Sequence, residues 1–134
     1  MRLLRLVMMV ALSLSLLSSA SLAQTKSQEA TARAAQDYLK LGLVEADGGN
    51  DEKAAEAFQK AVSMRPDWAE ARSLLGSALS RAGKYKEAEE QLRKAVSLKP
   101  DYGEGWYFLG LFLKDRGKDK EAEEAFRKAK QFAR

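Results

Sequence analysis

Shifted against itself by 34 residues, the chain matches its own sequence at eight kinds of position. Leu41–Gly42, Leu75–Gly76 and Leu109–Gly110 fall in register, followed by Gly49, Gly83 and Gly117. The match continues through Ala54, Ala88 and Ala122, then Phe58, Leu92 and Phe126, then Ala61, Ala95 and Ala129. Pro66 and Pro100 also coincide, each followed by Asp and an aromatic, Trp68 or Tyr102. A period of this length means one supersecondary unit written in series, each copy burying its apolar face against the next. Three units are about the smallest stable number.

Each unit reads as two helices. In the second, Leu75, Ala78 and Leu79 recur at three- and four-residue spacing, which predicts an amphipathic helix. Gly83 breaks the pattern where a C-terminal glycine is favoured. A second helix is expected from about Tyr85, with Ala88, Leu92, Ala95 and Val96 on one side. Pro100 ends it, because the residue before a proline is driven out of the helical region. Asp101 with Glu104, and Asp67 with Glu70, have the spacing of an N-cap and its partner three residues on. Gly42, Gly76 and Gly110 sit inside helices, where glycine costs about 1 kcal/mol relative to alanine. The expected reason is close approach of the paired helix at Ala54, Ala88 and Ala122.

These residues resemble the tetratricopeptide repeat (TPR) family, whose pattern runs aromatic, Leu-Gly, large residue, Ala, Phe-like residue, Ala, Pro. The units span 35–68, 69–102 and 103–134. The third fits best, with Trp106, Leu109, Gly110, Leu113, Ala122, Phe126 and Ala129. The second has Arg72 where the aromatic is usual, and the first has Glu45 in the slot of Leu79 and Leu113. The resemblance implies an all-α fold, an α-solenoid with a right-handed turn, in which the first helices of successive units line a concave groove for a peptide or partner helix. One branch of the family clamps a C-terminal carboxylate there with Lys, Arg and Asn. Here Leu39, Leu43, Leu74 and Phe108 stand in those places, which argues against such a clamp. Repeat phase turns Trp106 into the pair interior, leaving Tyr107, Phe108 and Leu111 for the groove.

The first residues, "MRLLRLVMMVALSLSLLSSASLAQ", combine Arg2 and Arg5, an apolar run from Leu6 to Leu17, and small residues. That is the layout of a secretory signal peptide over 1–23, cut after Ala23. Export to a bacterial periplasm is the expectation. Secretion or a retained inner-membrane anchor are the alternatives, and only a retained anchor would place the protein at a membrane. Residues 24–34 would form a helical or mobile extension. Without Arg2 and Arg5 the formal charge of +4 falls to about +2, which weakens any case for a nucleic-acid partner.

Chemistry is poorly supplied. There is no Cys, and there is no His, the commonest general base and metal ligand. Glu89–Glu90 and Glu123–Glu124 lie among lysines and arginines in the pattern of a solvated helix face. The stretch from Glu45 to Lys53 lacks calcium-loop spacing, and the glycines lack phosphate-loop spacing. No catalytic residue, metal or cofactor is expected. The predicted function is a protein–protein interaction scaffold, with Leu39, Leu43, Leu74, Tyr107, Phe108 and Leu111 as its partner-binding residues. Self-association is the other reading, through the groove or through a C-terminal end that leaves Phe126 and Phe132 partly open.

Overall fold

The computed structural model describes residues 1–133, which form six helices. They are α1 (Arg2–Asp47), α2 (Asp51–Met64), α3 (Ala69–Arg81), α4 (Tyr85–Leu98), α5 (Gly103–Asp115) and α6 (Asp119–Gln131). The chain divides into two compact units, Met1–Arg33 and Ala34–Arg134.

The first unit is helical from Arg2 onward and has no buried residue. An 18-residue window of α1 has a mean hydropathy of 2.0, long and apolar enough to cross a membrane. Signal sequences and membrane spans share that property. The hydroxyls of Ser13, Ser15, Ser18, Ser19 and Ser21 each donate to a carbonyl three residues back, so the helix satisfies its own polar side chains. Gln24 to Arg33 continue as helix.

The second unit holds the whole core, from Ala35 to Ala125. Its turns are copies of one another. Gly49, Gly83 and Gly117 have φ of 78°, 80° and 74°, the left-handed region that only glycine enters without strain. In each turn the following amide donates back across the helix end: Asn50 to Glu45, Lys84 to Leu79, Lys118 to Leu113, at 2.8–2.9 Å. This is the Schellman pattern, which satisfies carbonyls left open at the helix end.

The glycines inside helices do mark close approach, but mostly to a different neighbour from the one expected. A Cβ on Gly76 would lie 2.6 Å from Cγ of Leu92 and 3.1 Å from the Ala88 carbonyl. At Gly42 and Gly110 it would meet the rings of Phe58 and Phe126 at 2.5 and 2.7 Å. The glycine makes room for the large residue of the paired helix, four places beyond the small alanine.

The N-caps also fall one residue later than the Asp–Glu spacing suggests. They are Trp68 and Tyr102, and neither α3 nor α5 has a side-chain capping bond. The aromatics are held instead by cations, with Arg65 over Trp68 at 4.3 Å and Lys99 over Tyr102 at 5.3 Å. These are the same contact one repeat apart.

Arg72 fits its aromatic slot by the same logic. The indole N–H of Trp106 donates to the Pro100 carbonyl at 2.8 Å; Nε of Arg72 donates to the Pro66 carbonyl at 2.8 Å. Its Nη1 then donates to Oε1 of Gln91 at 2.7 Å, which satisfies a nearly buried guanidinium. Trp106 is half-buried against the core, with Lys128 over its ring at 4.2 Å, as Lys60 lies over Tyr38 at 5.2 Å.

Candidate functional site

Three slots of the first helix in each pair carry the six predicted binding residues. The outer ladder is Leu43, Ser77 and Leu111, of which both leucines are exposed. The next is Lys40, Leu74 and Phe108; Leu74 and Phe108 are partly buried and pack against the core. The third is Leu39, Ser73 and Tyr107, and it changes character along the chain. Leu39 is buried in the core and offers nothing to a partner. Ser73 is fully buried, its hydroxyl without a hydrogen-bond partner among the described residues. Tyr107 is half exposed. The inner face therefore presents Leu43 and Leu111 openly, with the edges of Leu74 and Phe108 between them.

Tyr107 does not simply extend this strip. Its ring makes tilted contacts with Phe108 (6.3 Å between centroids) and with Phe126 on α6 (5.9 Å). It lies in the lining of a pocket of about 700 Å³ whose walls are mainly Tyr102, Gly103, Tyr107, Phe126, Ala129 and Phe132, with Glu70 and Lys130 at the polar edge. Residue-by-residue reading of the groove missed this pocket, although the open Phe126 and Phe132 pointed to it. The clearer signal is the slot itself, where Tyr107 follows Leu39 and Ser73.

The electrostatics are those of a surface. Burial pushes Glu70 up, but the hydrogen bond and charge of Lys99, 2.7 Å away, outweigh it and leave the carboxyl below its ordinary value. Hydrogen bonds from Arg93 lower Glu89 despite partial burial, with Lys118 adding to the effect; Arg93 is raised by Glu121 and Glu89. That network ties α4 to α6 across successive pairs. Burial, followed by the charge of Glu104, pushes the Tyr102 hydroxyl up, and the hydroxyl donates to Glu104 at 3.1 Å. Tyr102 therefore acts here as a neutral donor.

Two family models described as tetratricopeptide repeat match residues 38–101 and 73–134. The chain belongs to the tetratricopeptide repeat family and has its α-solenoid fold. Among solved structures, MamA is 30% identical with a TM-score of 0.69, over 81% of this chain and 64% of MamA. The Sgt2 TPR domain from Aspergillus fumigatus is 26% identical, TM-score 0.70, over 73% of this chain and 65% of that domain. The second TPR of Spaghetti (RPAP3), bound to the HSP90 peptide SRMEEVD, shares the fold at 21% identity and a TM-score of 0.73, over 80% of this chain and 98% of that one. The chain thus spans just under two-thirds of the MamA and Sgt2 chains. No curated protein matches it. The fold is that of protein-interaction scaffolds.

Proposed function

We propose that this protein is an exported, non-catalytic scaffold whose inner face holds an apolar peptide or helix of a partner protein. One observation carries the reading: Leu43 and Leu111 stay exposed in the same slot of α1 and α5, with Leu74 and Phe108 partly open between them. An exposed apolar strip with a polar rim is the usual mark of an interaction surface, and an amphipathic helix or extended apolar segment suits such a groove. A solved relative by fold holds an acidic peptide. Here leucines and Phe108 replace the basic and amide side chains that a carboxylate clamp requires, so the ligand chemistry shifts from charged to apolar. Export rests on the signal-like order of charge, apolar run and small residues before Gln24.

The test is affinity capture from the host envelope fraction with residues 24–134, which keep every buried position, beside the Leu43→Lys and Leu111→Lys variants. Both substitutions fall at exposed sites, so the fold should survive. The reading expects a partner retained by the wild type and lost by both variants, and a mature N-terminus at Gln24. A partner held equally by all three baits would move the site away from the inner face. A mature protein that still begins at Met1 would refute export by a cleaved signal.

A further inference from the structure

The repeat register permits a direct comparison of each internal junction with the two outward faces of the solenoid. Where α5 stacks on α3 and α4, it buries Gly105, Leu109 (2% exposed) and Phe112 (3%). Where α3 stacks on α2, the same slots hold Ala71, Leu75 and Ala78, all at or below 1%. One repeat earlier, on α1, they hold Asp37, Leu41 (47% exposed) and Val44 (67%). The receiving side shows the same opening in reverse. Ser73 and Val96 are buried, as are Leu39 and Val62, but their equivalents Tyr107 and Lys130 are exposed.

We propose that copies of this chain stack head to tail, the α1 face bearing Asp37, Leu41 and Val44 of one copy seating on the α5–α6 face bearing Tyr107, Phe126 and Lys130 of the next.

The two faces are the two halves of one interface that the molecule already makes internally. Leu41 keeps the residue type of Leu75 and Leu109, and Phe126 keeps that of Phe58. Both faces also carry charges that the internal pattern lacks, and on α1 these include Lys40 in the Leu74/Phe108 slot as well as Asp37. Lys130 stands in the Val62/Val96 slot and Asp37 in the Ala71/Gly105 slot. A Cβ on Gly105 would lie 3.3 Å from Oγ of Ser73, so the register sets Asp37 of one copy opposite Tyr107 of its neighbour. At the rim, Asp119 would meet Asp47 where α2 and α3 pair Asp51 with Arg81 at 2.8 Å. The contact therefore rests on the apolar slots, against the like-charge repulsion of Asp119 and Asp47 at the rim. Because the two faces differ, the contact is heterologous and yields a ring or an open filament rather than a two-fold dimer. This goes beyond the inner-face reading, and each can fail without the other.

The chain has no cysteine, so introduced thiols report one contact only. Asp37→Cys and Tyr107→Cys would bring two Cβ atoms near the separation of about 3.8 Å that a disulfide needs. The full chain would be expressed as these two variants together, with different tags, and oxidised in intact cells by a membrane-permeant oxidant. The expected result is a mixed disulfide between the variants, no dimer from either alone, and a ladder of multimers from the double variant. Adding Leu41→Glu, at an exposed position, should abolish the ladder and leave the melting temperature unchanged. No cross-link, cross-links only between like variants, or a ladder that survives Leu41→Glu would each overturn the proposal.

Discussion

The junction between α3–α4 and α5 and the outward face of α5–α6 are built from the same slots and end in opposite states. At the junction, Leu92 is 1% exposed and Ser73 is fully buried, its hydroxyl without a hydrogen-bond partner among the described residues. At the outward face, Phe126 is half-buried, Tyr107 is open, and Lys130 stands where Val96 is core. In a globular domain, burial is a property of a residue's place in one closed core. In a solenoid it depends on whether a neighbour follows. The same chemistry therefore acts as structural glue in one unit and as recognition surface in the next, and a reading of any single repeat cannot tell which.

The sharpest way to break that comparison is to disturb the inside of a pair, where both regions share one architecture. Gly76→Leu drives side-chain atoms into Leu92 and the Ala88 carbonyl, and overpacking of this kind should cost about 3 kcal/mol or more. For a domain of this size that is a fall in Tm of about 10 °C or more, read by circular dichroism. An unchanged melt would remove the close helix approach on which the repeat packing rests.

A smaller effect sharpens the picture at the surface network joining α4 to α6. Glu89 is held below 4.5, so the folded protein binds that proton more weakly than the unfolded chain does. Its contribution is complete above 4.5 and is lost as pH falls through the lower folded value. Glu89→Gln should lower Tm slightly at about pH 6, and the gap to wild type should close by about pH 3. A gap that widens in acid would reverse the sign assigned to the Arg93 and Lys118 contacts. The effect is bounded by exposure, since ion pairs this open to water are worth at most about 1 kcal/mol.

Much of the fold was legible because periodicity carries it. Leu-Gly pairs, turn glycines and alternating Ala and Phe or Leu positions each state a packing requirement that recurs in register. The caps were misplaced by one residue because Asp67 and Asp101 have capping chemistry, whereas Trp68 and Tyr102 occupy the cap and are chosen for their contact with Arg65 and Lys99. Arg72 looked like a departure until its hydrogen bond to Pro66 matched that of Trp106 to Pro100. The site was less legible. Leu39 and Tyr107 have the same repeat phase, and no local pattern distinguishes a slot covered by the next helix from one left open.

The central claim, that one repeat slot is core at the junction and surface at the end, is most directly tested by a matched pair of truncations. Leu92→Ala and Phe126→Ala remove the large side chain from the same slot one repeat apart. At the junction the loss should be about 3 kcal/mol, within the range for a buried leucine. At the end, where the ring is only half-buried against the core and still borders open space, it should be no more than about half of that, despite the larger group removed. Denaturant unfolding of residues 24–134, kept dilute enough to be monomeric, gives both values. Leu92→Ala clearly the more costly is the result predicted here. Equal losses, or a greater loss for Phe126→Ala, would mean that the last pair is as closed as the junction of α3–α4 with α5, and the distinction drawn between them would fail.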